Sequence, residues 1–341
     1  MKATRILSLF LIAAGAACPQ AAPRQVTADK QSAPVYRIQG KIQRQTPTTS
    51  AASVMVRLLP RALNASQPLA PSAGGSTMAG PDGSFELRNV PNGSYYLAAM
   101  RMTGRVEAIG RIAVDVKDSD LKNVILPVAD ALVVTGTVQV EGNRRASLGH
   151  GRIVLRPAAS PLLEASSAAV NPDRNFKIEG VMPEKYQILF TGFPANFYPK
   201  SVRMGESELL DQGLDLTGAP QPVTLAVTLS TNGAAVLGTL NDGGKPVRGA
   251  WLVLVPDPYR PESSYRVKTG QSDRNGRCNI EGLVPGDYRV YALASLEPDV
   301  LLDPGTALKP LEESAGSVSV LEGSRVHVEM TILRPEGSRP R

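Results

Sequence analysis

Two histidines, two cysteines and one tryptophan in 341 residues leave little of the side-chain chemistry that metal and redox sites are built on. His150, His327, Cys18 and Cys278 stand far apart, so no cluster has the spacing of a zinc site or a redox relay. Charged residues make up 20% and form no long block of one sign, which argues against a disordered tail. The net charge of +6 is too small to imply nucleic acid as a partner. Past the N-terminus no stretch approaches the 18 or so apolar residues of a membrane-spanning helix. Aromatics are scarce at 5%, whereas glycine (31) and proline (28) are abundant and hydrophobics are an ordinary 42%. That mixture predicts many short strands joined by turns.

The N-terminus has the layout of a secretory signal: Lys2 and Arg5, an apolar run from Ile6 to Ala14, then the small residues Gly15-Ala16-Ala17. Removing 1–17 leaves 35 basic against 31 acidic residues, a mature charge of +4. Cys18 follows directly, where the acylated cysteine of a bacterial lipobox stands, although Gly15 replaces the larger aliphatic residue of that pattern. The expectation is an exported chain in the periplasm, at the cell surface or secreted, soluble or tethered through a lipid on Cys18. With Cys18 cleaved off or acylated, Cys278 has no disulfide partner, and each domain must hold by its core. Residues 18–34, rich in Ala, Gln, Pro and Ser, read as a linker, and 335–341 as a frayed tail.

A search for internal repeats organises the rest. PDGSFELRNVPNGSYYL (81–97), PDRNFKIEGVMPEKYQI (172–188) and SDRNGRCNIEGLVPGDYRV (272–290) are variants of one unit. Each has an Asp-containing turn and then period-two alternation, with Phe85 and Leu87, Phe176 and Ile178, or Cys278 and Ile280 facing one way. Each has a tyrosine ten residues after the first of these: Tyr95, Tyr186 and Tyr288. Upstream, VMVRLLP (54–60), GRIVLRP (151–157) and AWLVLVP (250–256) end at a proline, which stops a strand. Steps of two back from that proline predict Leu58, Val56 and Val54, Leu155, Ile153 and Gly151, and Leu254, Leu252 and Ala250 on the core face. Each unit opens with a strand holding one glycine, Gly40, Gly136 or Gly238, giving periods of 96 and 102 residues. Spans near 100 residues with short strands and regular turns predict an all-β chain of three tandem Ig-like antiparallel β-sandwiches, 35–129, 130–230 and 231–334.

These motifs resemble the carboxypeptidase regulatory-like domain, a relative of the prealbumin-like and collagen-adhesin B-type sandwiches, and the tandem arrangement is similar to exported acidobacterial-type proteins. The likeness covers about 35–334. It is strongest in the third unit and weakest in the second, where Glu184 and Lys185 replace the Gly-Asp step before the tyrosine. It implies a sandwich fold outside the cytoplasm and no catalysis by these domains, without naming a ligand. No cofactor or metal is implied. A collagen-adhesin relative also suggests an internal Lys–Asn isopeptide between Lys41 and Asn123. The alternation of Ile38, Gly40 and Ile42 turns Lys41 outward, however, and Leu97, Ala98 and Ala99 occupy the place of the required glutamate.

Among candidate sites, Asp273 and Asn275 have the spacing of a partial calcium loop, but its later ligands are missing and a hairpin turn with Gly276 at positive φ explains them. His150, between glycines, and His327, alternating with valines, read as surface residues. Trp251 shares the non-core face with Val253 and Val255, where the other units carry Met55, Arg57, Leu59 or Arg152, Val154, Arg156. An outward apolar stripe predicts a contact surface, extended by Tyr259 and Tyr265, for polysaccharide or an envelope protein; the competing reading packs the stripe under the following loop or against the second unit. Phe193, Phe197 and Tyr198 form a second aromatic cluster, read chiefly as structural. The function expected is non-catalytic binding through a sandwich face, with a passive envelope spacer as the alternative.

Overall fold

The computed structural model describes residues 34–45, 53–61, 75–159, 165–219 and 221–333. The signal segment, Cys18, nearly all of the 18–34 linker and the 335–341 tail lie outside the described residues. The rest is all-β, apart from short helical turns at Pro261–Arg266 and between 298 and 314.

The three repeats form equivalent strands. The opening strands Val35–Arg44, Leu132–Glu141 and Ala234–Asp242 pair antiparallel with the motif strands Ser84–Pro91, Asn175–Val181 and Arg277–Leu283. The proline-ended strands Met55–Pro60, Arg152–Pro157 and Trp251–Pro256 pair antiparallel with the tyrosine strands Gly93–Met102, Lys185–Thr191 and Gly286–Leu293. The expectation of purely antiparallel sheets needs one correction. Each opening strand also pairs, in parallel, with the closing strand of its repeat: Leu121–Asp130, Val223–Ser230 or Arg325–Thr331. The second and third repeats each have two separate sheets. In the first, Val106–Val116 bridges to the closing strand at Ala108–Asp130 and Ile109–Ala129, giving one seven-stranded sheet.

The motif residues explain one another. Gly40 lies opposite Phe85, Gly136 opposite Phe176 and Gly238 opposite Cys278 in the antiparallel register. A Cβ on Gly40 or Gly136 would come within 2.5 Å or 2.3 Å of the facing phenyl ring, so the glycine makes the space that the aromatic fills. In the third repeat Cys278 is too short to fill it alone, and Leu252 also reaches the position above Gly238. Each repeated tyrosine donates its hydroxyl to the carbonyl four residues earlier: Tyr95 to Pro91 at 3.1 Å, Tyr186 to Met182 at 3.0 Å, Tyr288 to Val284 at 2.7 Å. Burial suits the rings and these bonds satisfy their polar ends. The core positions read from the prolines are all buried, and the Asp273 turn closes through its carboxylate, which accepts from the Asn275 and Arg277 amides. His150 and His327 are exposed, and Cys278 is buried. Lys41 points outward, 3.9 Å from Asp82.

Candidate functional site

The apolar stripe of the third repeat does not face solvent. Val253 and Val255 are buried in a second, separate cluster with Tyr291, Leu293, Val300, Leu308 and Leu311. The cover comes mainly from the helical turns between Pro298 and Ser314, rather than from the second repeat. Trp251 and Tyr259 sit at the margin of this cluster, each partly buried. Burial, with the Asp303 carboxylate nearby, pushes the Tyr259 hydroxyl up to about 12.

Tyr265 belongs elsewhere. Carried on the turn Pro261–Arg266, it is 8% exposed and inserts into the core cluster of the second repeat. Its hydroxyl donates to Asp211 Oδ1 at 2.8 Å, and its ring meets Phe190 edge-on with centroids 6.4 Å apart. Burial first, and then the Asp211 carboxylate, drive its ionisation far above the usual tyrosine range. Beside it, Gln187 Oε1 accepts from Arg156 Nε at 2.9 Å and from Ser264 Oγ at 3.2 Å, so a side-chain network crosses between repeats.

The Phe193-Phe197-Tyr198 cluster lies at the same seam. Phe193 fits over Gly151, whose absent Cβ would stand 2.3 Å from the ring. Phe197 and Tyr198 are buried, and Tyr198 donates to Glu322 Oε1 of the third repeat at 3.0 Å, as does Ser230. Backbone meets backbone where Gly233 N donates to Asn196 O at 3.0 Å. Gly282, at φ +68°, would carry a Cβ 2.3 Å from Ala195 O and 2.5 Å from Phe197 O. Only glycine suits that conformation and that approach.

The structure thus brings Tyr265 together with Phe193, Phe197 and Tyr198, and leaves Trp251 and Tyr259 on another face. Between the two repeats these four rings, with Phe190, wall a cavity of about 210 Å³ that Lys268 also lines. Phe190 and Lys268 escaped the sequence reading, Phe190 inside an apolar strand and Lys268 as a lone cation in a short one. Burial pushes the Lys268 amine down from the usual lysine range.

The seam between the first and second repeats is different in kind. Arg111 Nη2 lies 2.6 Å from Glu184 Oε2, with the two side chains only 13% and 22% exposed. The guanidinium carbon of Arg111 also lies 5.4 Å from the Tyr96 ring centre. Val106 packs over Gly180, where a Cβ would come to 3.0 Å. Glu184 is the residue that departs from the repeat's Gly-Asp step, and that departure was the sequence signal for this contact. Among the described residues no group of three or more His, Cys, Asp or Glu is placed to hold a metal, and no helix is long and apolar enough to cross a membrane.

No family model matches the chain, and no curated protein matches it. Among solved structures it is similar to the Bacillus anthracis TIE protein, at 12% identity and TM-score 0.24, over 87% of this chain and 50% of that one. It is similar to a Streptococcal ancillary pilin, at 14% identity and TM-score 0.25, over 90% and 100% of the two chains. The minor pilin of Streptococcus agalactiae gives 14% identity and TM-score 0.24, over 62% and 99%. The chain spans half the length of the TIE protein. At these scores the likenesses carry no argument about function, and the all-β fold rests on the strands themselves.

Proposed function

We propose that the chain is an exported, non-catalytic scaffold of the cell envelope or extracellular space, built from three carboxypeptidase regulatory-like sandwich modules at 35–129, 130–230 and 231–334. The observation that carries this reading is Tyr265, an aromatic of the third module anchored in the core of the second. A protein that only strings recognition modules together has no need to share a core between them, whereas one that sets a fixed distance does. The signal-like N-terminus supports export, and the turn-rich, histidine-poor composition supports a role without catalysis. Small-angle X-ray scattering on the purified full chain tests it. One rigid envelope that fits the second and third modules in a fixed relation is expected; a profile that needs an ensemble of orientations for that pair overturns the scaffold reading. Mass spectrometry of the protein from its native envelope checks export and the state of Cys18: a diacylglycerol there marks a lipid anchor, an unmodified mature chain marks soluble export, and an uncleaved N-terminus overturns export.

Contact of Trp251 and Tyr259 with polysaccharide or an envelope protein is the second reading, favoured by the partial exposure both keep at the edge of the covered stripe. Trp251 is the single tryptophan, so its emission reports directly: a shift on adding polysaccharide supports contact, and no shift with any of them leaves the scaffold alone.

A further inference from the structure

Both seams are assembled from the same two parts, a corner on the later module and a socket on the earlier one. The corner is the position four residues after the repeated Phe or Cys: Asn89, Gly180 and Gly282, left-handed at φ +58°, +69° and +68°. Each precedes a buried apolar residue, Val90, Val181 or Leu283. Gly180 meets Val106, and Gly282 meets the carbonyls of Ala195 and Phe197, so both corners press on the connection that follows the tyrosine strand of the module before. The socket continues onto the outer sheet face, at the residue after the repeated tyrosine. Over Tyr96, Arg111 pairs with Glu184 of the second module. At Gln187, Ser264 of the third module donates to the side-chain oxygen at 3.2 Å.

The corner and the socket at the outer ends of the three-module stack are both obstructed. Asn89 is exposed, and asparagine tolerates a left-handed backbone better than other residues with a side chain. The corner therefore keeps its shape while carrying a side chain where a docked corner has no room: a Cβ would come to 3.0 Å of Val106 at Gly180, and to 2.3 Å of Ala195 O at Gly282. In the third module the connection after the tyrosine strand, 294–315, folds over its own outer face and sets Val300, Leu308 and Leu311 on Val253 and Val255. Arg289, the residue after the third tyrosine, donates to the Glu312 backbone oxygen at 3.3 Å and lies 3.3 Å from its carboxylate. Glu312 thus takes the place that Glu184 and Ser264 of a following module take at the other two sockets.

Head-to-tail contacts that do not close into a ring grow into filaments, and repeat arrays end in atypical caps. We propose that Asn89 and the 294–315 segment are stoppers that keep a second copy of this chain from stacking onto either end. They are separate from the scaffold role, because a rigid chain holds its length whether or not its copies stack.

Sedimentation of the full chain and of two variants tests the stoppers. Asn89→Gly opens the corner alone; replacing 294–315 by Thr103-Gly104-Arg105, the turn at the same place in the first module, opens the socket alone. The wild type and each variant are expected to sediment as single chains, and their mixture to form a complex with one chain of each variant and nothing larger. A mixture that stays as single chains overturns the proposal, as does self-association of the wild type or of either variant alone. Should the socket variant fail to fold, Gly282→Asn carries the first stopper to an existing seam. Asparagine keeps the left-handed backbone, so the third module should fold but lose its dock and melt in a separate calorimetric transition. A G282N chain that melts in one transition like the wild type overturns the role of the corner.

Discussion

The two seams of this molecule solve the same problem with different materials. Between the first and second modules the contact centres on one ion pair, Arg111–Glu184, and on Val106 over Gly180. Between the second and third a tyrosine of one module completes the other's core, backbone lies on backbone at Gly282, and Glu322 accepts two hydroxyls from across the seam. Apolar burial is favourable outright, whereas an ion pair between mostly buried side chains must first offset the desolvation of both charges. The second and third modules should therefore behave as one cooperative body, with the first a more separable neighbour.

The largest expected effect comes from emptying the shared core. Tyr265→Ala should cost about 3–5 kcal/mol, as for other large aromatics removed from a core, and split the joint melting of the second and third modules into two calorimetric transitions. Tyr265→Phe, which loses only the bond to Asp211, should cost about 1 kcal/mol and keep one transition. Gly282→Ala comes next, at about 3 kcal/mol, because it adds both left-handed strain and a collision with two carbonyls. The first seam should yield less. Removing Arg111 or Glu184 should cost about 2 kcal/mol of the first module's docking, with a coupling near that value in a double-mutant cycle and, because both side chains are mostly buried, only a small dependence on salt. Chemical denaturation of the three variants at low and high salt measures it.

Acid should bring the smallest change. The Ser230 hydroxyl, and then the Tyr198 hydroxyl, hold Glu322 below its ordinary value of 4.5. A carboxylate with a depressed folded pKa contributes stability that is whole above its unfolded value and is lost as pH falls through the folded one. The second seam should therefore weaken only below about pH 4.5, and Glu322→Gln should remove that part of the acid dependence, read by melting temperature against pH.

What the sequence carried openly was whatever repeats. Gly40 against Phe85 and the ten-residue step to Tyr95 recur in each module, because every sandwich must close its own core in the same way. What it hid was what happens once. Tyr265 looked like a loop aromatic, since its fate is decided by the surface of another module, and no local period encodes that. The stripe of Trp251, Val253 and Val255 was visible as an apolar second face, yet its lid, Val300, Leu308 and Leu311, lies in a proline-rich stretch with no clear periodicity. Glu184 stood out as a break in the motif, but its partner Arg111 is 73 residues away and nothing in the pattern joins them.

The parallel pairing of first and last strands has a mechanical meaning. In each module the chain enters at one end of that pair and leaves at the other. A pull on the chain ends slides the two strands past each other instead of peeling them apart, so their hydrogen bonds carry the load together. In the second module the register runs unbroken from Val134–Val223 to Glu141–Ser230, and in the third from Ala235–Arg325 to Asn241–Thr331. The first module's register shifts between Ile38 and Gly40. Under tension the first module should therefore yield first, at the end of the chain nearest Cys18.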